Sequence, residues 1–150
     1  MLAPGDQAPA FTLVDQHGTN VSLSDFKGRR VVVFFYPKAL TAGCTTQACG
    51  LRDVVPELEG VVVVGISPDP PDRQASFDEK HQLGFPLLSD PGHVVADQYG
   101  TWGEKSMYGR KYQGILRSAF LIDERGNVAA SWYKISPKAT ATKVLAAVRS

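Results

Sequence analysis

Residues 31–49 read VVVFFYPKALTAGCTTQAC, and this stretch decides the fold and holds both cysteines of the chain. Its first six residues are β-branched or aromatic without polar alternation, a pattern typical of a central strand buried on both faces. Pro37 ends that strand. From about Thr41 the apolar residues recur at helical spacing, so the stretch predicts a strand, a turn and a helix. Cys44 falls in the first turn of that helix and Cys49 in the second.

One apolar stripe marks the buried face of this predicted helix. The stripe consists of Cys44, Ala48, Leu51, Val55 and Leu58. Pro56 lacks a backbone N–H and should kink or end the helix nearby. Cys49 falls off the stripe, on the flank with Thr45, Arg52 and Asp53, so we expect solvent and a reductant to reach it.

The rest of the chain alternates between strand and helix patterns. We predict a β-hairpin within 10–26, a helical turn at 24–28, strands at 61–66, 85–88, 119–123 and 128–133, and helices at 72–82, 92–99 and 137–149. Residues 100–117 are rich in glycine, basic and aromatic residues, which favours a long functional loop. This order predicts an α/β protein with a thioredoxin-like fold, in which helices flank a mixed central β-sheet and the N-terminal hairpin is an extension. We expect residues 1–150 to form a single domain.

Composition excludes several classes of function. The 16 basic and 15 acidic residues give a net charge of +1 and are spread along the chain, so no basic face for nucleic acid is visible. No apolar run reaches the roughly 20 residues of a membrane span, and the N-terminus lacks the pattern of a secretory signal. We therefore expect a cytoplasmic protein, in which two nearby cysteines indicate redox chemistry or metal binding before a structural disulfide.

Cys44 should lie where a helix begins past the carboxyl end of a central strand. Unpaired backbone N–H groups and the helix dipole favour a thiolate there. Free cysteines have a pKa of about 8.5 and reactive ones about 3.5 to 7.5. A shift of about two units takes roughly 2.7 kcal/mol, whereas a helix terminus supplies about 2 at best. A nearby cation has to supply the remainder, and the candidates are Lys38, Arg52 and Arg117.

The five-residue spacing of the cysteines constrains any disulfide between them. Five residues of α-helix turn through about 140° and rise about 7.5 Å, which places the two Cα atoms roughly 8 to 9 Å apart. A disulfide spans no more than about 7 Å. A bond between Cys44 and Cys49 would therefore require the first turns of the helix to unwind.

Other interpretations of the cysteines stay open at this point. Both would fit as small buried hydrophobic residues. A zinc site is disfavoured, because the cysteine spacing is wrong and His17, His81 and His93 are scattered along the chain. A thiol–disulfide oxidoreductase would use Cys-X-X-Cys instead. A redox sensor or holdase without catalytic activity would also have cysteines that are oxidised quickly. Continuous turnover in the presence of a reductant distinguishes an enzyme from it.

The run from Pro37 to Cys44 resembles the P-x-x-x-T-x-x-C signature of the peroxiredoxins, and the second cysteine five positions on is similar to the bacterioferritin comigratory protein (PrxQ) class. Further segments resemble that class as well, at 4–11, at 102–105 and 108–109, and at 114–123. The resemblance spans nearly the whole chain. It implies a thiol peroxidase that reduces hydrogen peroxide and organic hydroperoxides without a metal or an organic cofactor. The class is often monomeric, which implies a monomer here.

The resemblance also implies a role for each site residue. Cys44 would be the peroxidatic nucleophile and Cys49 the resolving thiol, with thioredoxin or glutaredoxin as the reductant. Thr41 would bind the peroxide through its hydroxyl, Pro37 would shield the sulfur, and Arg117 would support the thiolate and orient the peroxide. Taken singly, Thr41 would also fit as a helix cap, Pro37 as a strand terminator and Arg117 as a surface charge.

The turn departs from the class, because Ala39, Leu40 and Ala42 stand where many relatives have an acidic residue and a proline. These positions flank the reactive sulfur, so we expect the chemistry to survive. The stiffness of the turn and the preferred peroxide should change, since Leu40 offers an apolar contact to an alkyl hydroperoxide.

Overall fold

The computed structural model describes residues 1–150, which form nine β-strands and four α-helices. The strands are β1 (Thr12–Val14), β2 (Asn20–Ser22), β3 (Arg30–Phe35), β4 (Val61–Ser67), β5 (Leu87–Ser89), β6 (Trp102–Met107), β7 (Arg110–Ile115), β8 (Ser118–Ile122) and β9 (Val128–Trp132). The helices are α1 (Ala42–Val54), α2 (Pro71–His81), α3 (Val94–Gln98) and α4 (Pro137–Arg149). Short 3₁₀ turns follow β2, at Leu23–Phe26, and α1, at Val55–Glu57.

Seven strands form one mixed sheet in the order β2-β1-β5-β4-β3-β8-β9. The three central strands, β3, β4 and β5, run parallel, and the other pairings are antiparallel. This is the mixed central sheet that the sequence predicts. The predicted N-terminal hairpin is also present, and a single pairing of Val14 with Ser89 joins it to the edge of the sheet.

Strand β3 lies at the centre of the protein and is buried on both faces, as its unbroken apolar run predicts. Alternate residues enter two separate cores, because side chains of a strand point to opposite faces. Val32 and Phe34 enter the core that also contains residues of α1, α2 and α4. Val33 and Phe35 enter the core on the other face, which α3 and the N-terminal segment cover.

Helix α1 follows β3 after a short turn and buries the first part of the predicted stripe. Cys44, Ala48 and Leu51 have no exposed surface. The α-helix ends at Val54, and a 3₁₀ turn that contains Pro56 follows it. The helix therefore ends close to Pro56, as the sequence predicts. Val55 lies in this tighter turn and is exposed, so the stripe does not extend to it as predicted.

Residues 100–117 are not the long loop that the sequence predicts. Most of them form a two-stranded hairpin of β6 and β7, separate from the main sheet. Tyr108 and Gly109 form its turn, and both have positive φ angles, 52° and 77°. Such angles at both central residues are typical of the type I′ turn, which usually carries Asn-Gly. Most of the hairpin is exposed, so apolar and polar residues do not alternate along its strands. The sequence pattern therefore favours a loop.

Helix α4 is the last element of the chain and packs against α1. Ser136 caps it by accepting a hydrogen bond from Ala139 N at 3.1 Å. The two helices approach closely at Gly50, where an added Cβ would lie 3.4 Å from Ala141 Cβ. None of the four helices combines the length and apolar character that crossing a membrane requires.

Candidate active site

Cys44 lies in the first turn of α1, just past the carboxyl end of β3. Thr41 is the N-cap residue, so Cys44 is the third residue of the helix. Its side chain is completely buried. The unpaired N–H groups of the first helical turn and the helix dipole stabilise negative charge at this position.

Arg117 contacts the sulfur of Cys44. It lies between β7 and β8, and its Nη1 donates to Cys44 Sγ at 3.5 Å. A Cβ at Gly43 would lie 3.1 Å from Arg117 Nη2, so the guanidinium packs closely over the start of the helix. Ile135 N donates to Arg117 O at 2.9 Å and anchors its backbone. Arg117 is therefore part of the Cys44 site and not a free surface charge.

The other two candidate cations point elsewhere. Arg52 donates from Nη1 to His81 O at 2.6 Å and forms an ion pair with Asp53. Lys38 is exposed. Of the three cations that the sequence leaves open, Arg117 is the one with a hydrogen bond to the sulfur.

Gln47 orients Arg117, and sequence reasoning missed it. Its Oε1 accepts from Arg117 Nη1 at 2.8 Å, and its Nε2 donates to Thr140 Oγ1 at 3.2 Å. Thr140 in turn donates to Ser136 O at 2.9 Å. Gln47 is completely buried, and buried amides need such partners. Its position three residues after Cys44, on the buried side of α1, was the available signal.

Thr41 and Pro37 flank the turn that leads into α1. Thr41 Oγ1 donates to Lys38 O at 2.6 Å and makes no side-chain capping bond, so the hydroxyl does not act as a helix cap. Its lone pairs stay available to accept a hydrogen bond. Pro37 is half-buried directly after Tyr36, the last residue of the buried run.

A charged pair formed by the loop after β4 and the first turn of α2 holds this turn in place. Ala39 N donates to Asp69 Oδ2 at 2.7 Å, and Arg73 Nη2 donates to Ala39 O at 2.8 Å. Asp69 and Arg73 also pair with each other at 3.2 Å. Leu40 has a φ of 69°, an angle that non-glycine residues seldom adopt. The turn is thus fixed by hydrogen bonds to its backbone, in a conformation that disfavours leucine.

Tyr36 forms part of a buried polar network behind the turn. Its hydroxyl donates to Gln74 Oε1, and Gln74 Nε2 donates to Ser67 Oγ at 2.8 Å and to Leu88 O at 3.0 Å. Burial raises the pKa of Tyr36 far above its usual range, and the negative charges of Asp69 and Cys44 raise it further. Tyr36 therefore stays neutral at physiological pH.

Cys49 lies on the same helix as Cys44 and is half-buried. It packs against the core on the α1 side of the sheet, so it is less open to solvent than its place off the stripe predicts. Both cysteines are free thiols, and the α-helix is continuous between them.

The histidines lie in separate parts of the fold. His17 is exposed after β1, His81 packs edge-on against Phe77, and His93 stacks on Trp102 with ring centroids 3.7 Å apart. No group of three or more His, Cys, Asp or Glu side chains is arranged to hold a metal ion.

Comparisons with known proteins identify the family. Residues 4–131 match the AhpC/TSA family. The chain is 58% identical over 139 residues to the putative peroxiredoxin bcp of Haemophilus influenzae, covering 91% of this chain and 90% of that protein. It is 56% identical over 129 residues to peroxiredoxin Bcp of Escherichia coli K12, covering 85% and 83%. The structure matches that of the bacterioferritin comigratory protein of Xanthomonas campestris with a TM-score of 0.87 and 33% identity, covering 93% of this chain and 90% of that one.

The chain therefore belongs to the AhpC/TSA family, whose thiol chemistry agrees with a buried cysteine paired with an arginine. Within that family it is a peroxiredoxin of the Bcp/PrxQ class. These matches confirm the resemblance of the motifs and the thioredoxin-like fold. They make the protein a thiol peroxidase that acts on peroxides and depends on a thiol reductant.

Proposed function

We propose that Cys44 is the peroxidatic cysteine of this peroxidase and that Cys49 resolves its oxidised form. The observation that carries the proposal is the contact of Arg117 Nη1 with Cys44 Sγ, 3.5 Å apart, at the buried N-terminus of α1. Arg117 adds to the thiolate stabilisation that the helix N-terminus does not provide alone. Thr41 and Pro37 complete the site.

The first step is attack of the Cys44 thiolate on the terminal oxygen of the peroxide. The O–O bond breaks, sulfur loses two electrons and becomes a sulfenic acid, and the alkoxide or hydroxide takes a proton to leave as an alcohol or water. The Thr41 hydroxyl, which donates to Lys38 O, accepts a hydrogen bond from the peroxide. The Arg117 guanidinium stabilises the negative charge as it moves from sulfur to the departing oxygen.

The second step joins the two cysteines. The first turns of α1 unwind, Cys49 attacks the sulfenic acid, and one water leaves as the disulfide forms. The intact helix supports this order, because about 8 to 9 Å between the Cα atoms exceeds the reach of a disulfide. A dithiol protein, thioredoxin or glutaredoxin, then reduces the disulfide by exchange and returns both thiols.

The setting of this cycle follows from its chemistry. Regeneration needs a pool of dithiol reductant, so we infer that the protein works in the cytoplasm. We also infer that residues 1–150 act as one domain, since the seven-stranded sheet includes both the first strand, β1, and the last, β9. We expect the protein to be monomeric, with both cysteines supplied by the same helix.

Leu40 favours alkyl hydroperoxides as substrates. It is half-buried beside the core that contains Cys44. The related Xanthomonas campestris protein has been studied for its alkyl peroxide reduction activity. We therefore expect stopped-flow oxidation by a bulky alkyl hydroperoxide to slow more in Leu40→Asn than oxidation by hydrogen peroxide. Equal slowing with both peroxides would remove Leu40 from substrate recognition.

Two cysteine variants test the proposed function. Cys44→Ser should lose peroxide turnover in the presence of thioredoxin and its reductase. Cys49→Ser should consume about one equivalent of peroxide per chain and then stall, unless an external thiol is added. Sustained turnover by Cys44→Ser would refute the assignment. Failure of the wild type to turn over continuously would favour a redox sensor.

A further inference from the structure

Asp69 is a buried carboxylate beside the turn between β3 and α1, and the chemical steps proposed above give it no role. Its residue is 7% exposed. Its Oδ2 accepts hydrogen bonds from Ala39 N and Ser67 Oγ, both at 2.7 Å, and its Oδ1 lies 3.2 Å from Arg73 Nε. Burying a charged group costs free energy unless the group is paired and hydrogen-bonded. One of the three partners belongs to the turn, so the charge of Asp69 is fully compensated only while the turn stays in place.

Asp69 and Arg73 together hold both backbone groups of Ala39, and we call this pair the Asp69–Arg73 clamp. Asp69 accepts from the N–H of Ala39, and Arg73 Nη2 donates to its carbonyl oxygen at 2.8 Å. Ala39 has no exposed surface. The two clamp residues lie 30 and 34 positions further along the chain, in the loop after β4 and the first turn of α2. The turn is therefore fixed by elements that do not move with α1.

The clamped turn leads directly into the helix that has to unwind. Leu40 follows Ala39 with a φ of 69°, which is strained for leucine. Thr41 comes next as the N-cap residue, and its carbonyl oxygen accepts a hydrogen bond from Thr45 N at 2.9 Å. A strained conformation persists only where its surroundings impose it. Release of Ala39 would therefore free the turn and the first turn of α1, which holds Cys44.

A buried polar network fixes the clamp itself. Ser67 Oγ, which donates to Asp69, also accepts from Gln74 Nε2 at 2.8 Å, and the Tyr36 hydroxyl donates to Gln74 Oε1. Ser67, Gln74 and Tyr36 have no exposed surface. Fully bonded buried networks of this kind are rigid. Asp69 is thus the fixed side of the contact with the turn, and the turn is the side that can leave.

We propose that Asp69 and Arg73 are positioning residues for both steps of the peroxidase reaction. The closed clamp keeps Thr41 and Cys44 in place for attack on the peroxide. When the turn leaves the clamp, the first turns of α1 unwind and Cys49 attacks the sulfenic acid, with loss of one water as the disulfide forms. The proposal rests on the function proposed above. Both residues act through the turn, because the turn is what they bind.

The test replaces Arg73 with methionine, which keeps an unbranched stem but removes the bond to Ala39 O and the charge beside Asp69. In a Cys49→Ser background, stopped-flow oxidation by hydrogen peroxide should slow by about 3- to 10-fold, because the turn is held less precisely. In the protein with both cysteines, the disulfide should form about 3- to 10-fold faster, because one hydrogen bond fewer holds the turn closed. Acid quench and mass spectrometry follow the disulfide, at peroxide concentrations high enough for its rate to be independent of peroxide.

Opposite changes in the two rates distinguish positioning from general damage to the fold, which would slow both steps. Arg29→Met is the matched control, because Arg29 is an exposed arginine just before β3, at the end of the strand away from Cys44. It should leave both rates within about twofold of the wild type. Rates that fall together in Arg73→Met, or either rate at its wild-type value, would overturn the proposal. Arg73→Gln serves if Arg73→Met does not fold.

The same measurements keep this proposal separate from the proposed function. If Cys44→Ser still turns over peroxide, or if the wild type forms no disulfide, the proposed function fails and the clamp has no reaction to position. If the wild type forms the disulfide and Arg73→Met forms it at the same rate, the peroxidase stands and the role of the clamp falls.

Discussion

The side chain of Gln47 shows how the reactive cysteine depends on residues that do not touch the substrate. It receives a hydrogen bond from Arg117 and donates one to Thr140, and it has no exposed surface. Arg117 comes from 70 residues further along the chain. Gln47 therefore connects α1, α4 and the segment before β8 at one point.

Replacing Gln47 with leucine should weaken both the site and the fold. The change keeps the volume and removes the hydrogen bonds of Gln47 to Arg117 and Thr140, which leaves Arg117 with Cys44 Sγ and Thr140 with Ser136 O, and costs about 1 to 3 kcal/mol of unfolding free energy. Oxidation by peroxide should slow by roughly 5- to 10-fold, because a mobile Arg117 supports the thiolate less well. Urea unfolding and stopped-flow oxidation measure the two effects. Thr46→Ala, an exposed neighbour on α1, is the control, and equal behaviour of the two variants would exclude a special role for Gln47.

Local sequence could indicate only that Gln47 lies on the buried side of α1, three residues after Cys44, and not which groups it bonds. Its hydrogen-bond partners lie 70 and 93 residues away. The roles of Arg117 and Thr41 were expected from the resemblance of the motifs. Helical spacing alone predicted that Cys44 would be buried, because it begins the apolar stripe.

At the scale of elements, the helix that carries both cysteines has to be stable and able to open. α1 packs against α4 and is continuous across both cysteines, whereas the hydroxyl of Thr41 does not cap its first turn. A side-chain cap typically contributes about 1 kcal/mol, so its absence leaves the start of the helix easier to unwind.

Formation of the disulfide should therefore reduce the helix content of the protein. Far-ultraviolet circular dichroism of the wild type, before and after one equivalent of peroxide, should show the loss of about two helical turns. Cys49→Ser treated in the same way should keep its helix signal, because no disulfide forms. Unchanged helicity in a wild-type sample shown to contain the disulfide would contradict the unwinding step.

Periodicity predicted most elements and failed for one. Strands β3 and β4 are nearly unbroken apolar runs and helix α4 has an apolar stripe at helical spacing, because each is packed in a core. The β6–β7 hairpin has almost no core to face, and its turn uses Tyr108 where asparagine is usual. Its strands are held together by backbone pairing across the hairpin, which does not require a regular pattern of apolar residues in the sequence.

Buried tyrosines make the stability of the whole molecule sensitive to alkaline pH. Tyr36 and Tyr99 have no exposed surface, and burial raises the pKa of both well above the ordinary value. Unfolded, they ionise from about pH 10 upwards, whereas in the folded protein they stay protonated. Stability should thus be intact below about pH 10 and fall above it by about 1.4 kcal/mol per pH unit for each tyrosine.

Urea unfolding from pH 9 to pH 12 checks this dependence, in a Cys44→Ser/Cys49→Ser background that excludes thiol chemistry. Tyr99→Phe should remove about half of the slope above pH 10. Tyr108→Phe, at a position that is 98% exposed, should leave the slope unchanged. If the stability of the Cys44→Ser/Cys49→Ser parent stays flat up to pH 12, these side chains ionise as easily in the folded state as in the unfolded one.

Both cysteines lie on one tryptic peptide, residues 39–52, and its mass tests the central claim directly. After one equivalent of hydrogen peroxide, the account predicts that this peptide becomes lighter by two hydrogen atoms, through an internal disulfide between Cys44 and Cys49. In Cys49→Ser the same treatment should instead leave a sulfenic acid on Cys44, detectable with a trapping reagent. A peptide from the oxidised wild type with unchanged mass, or one that carries oxygen only on Cys49, would contradict it.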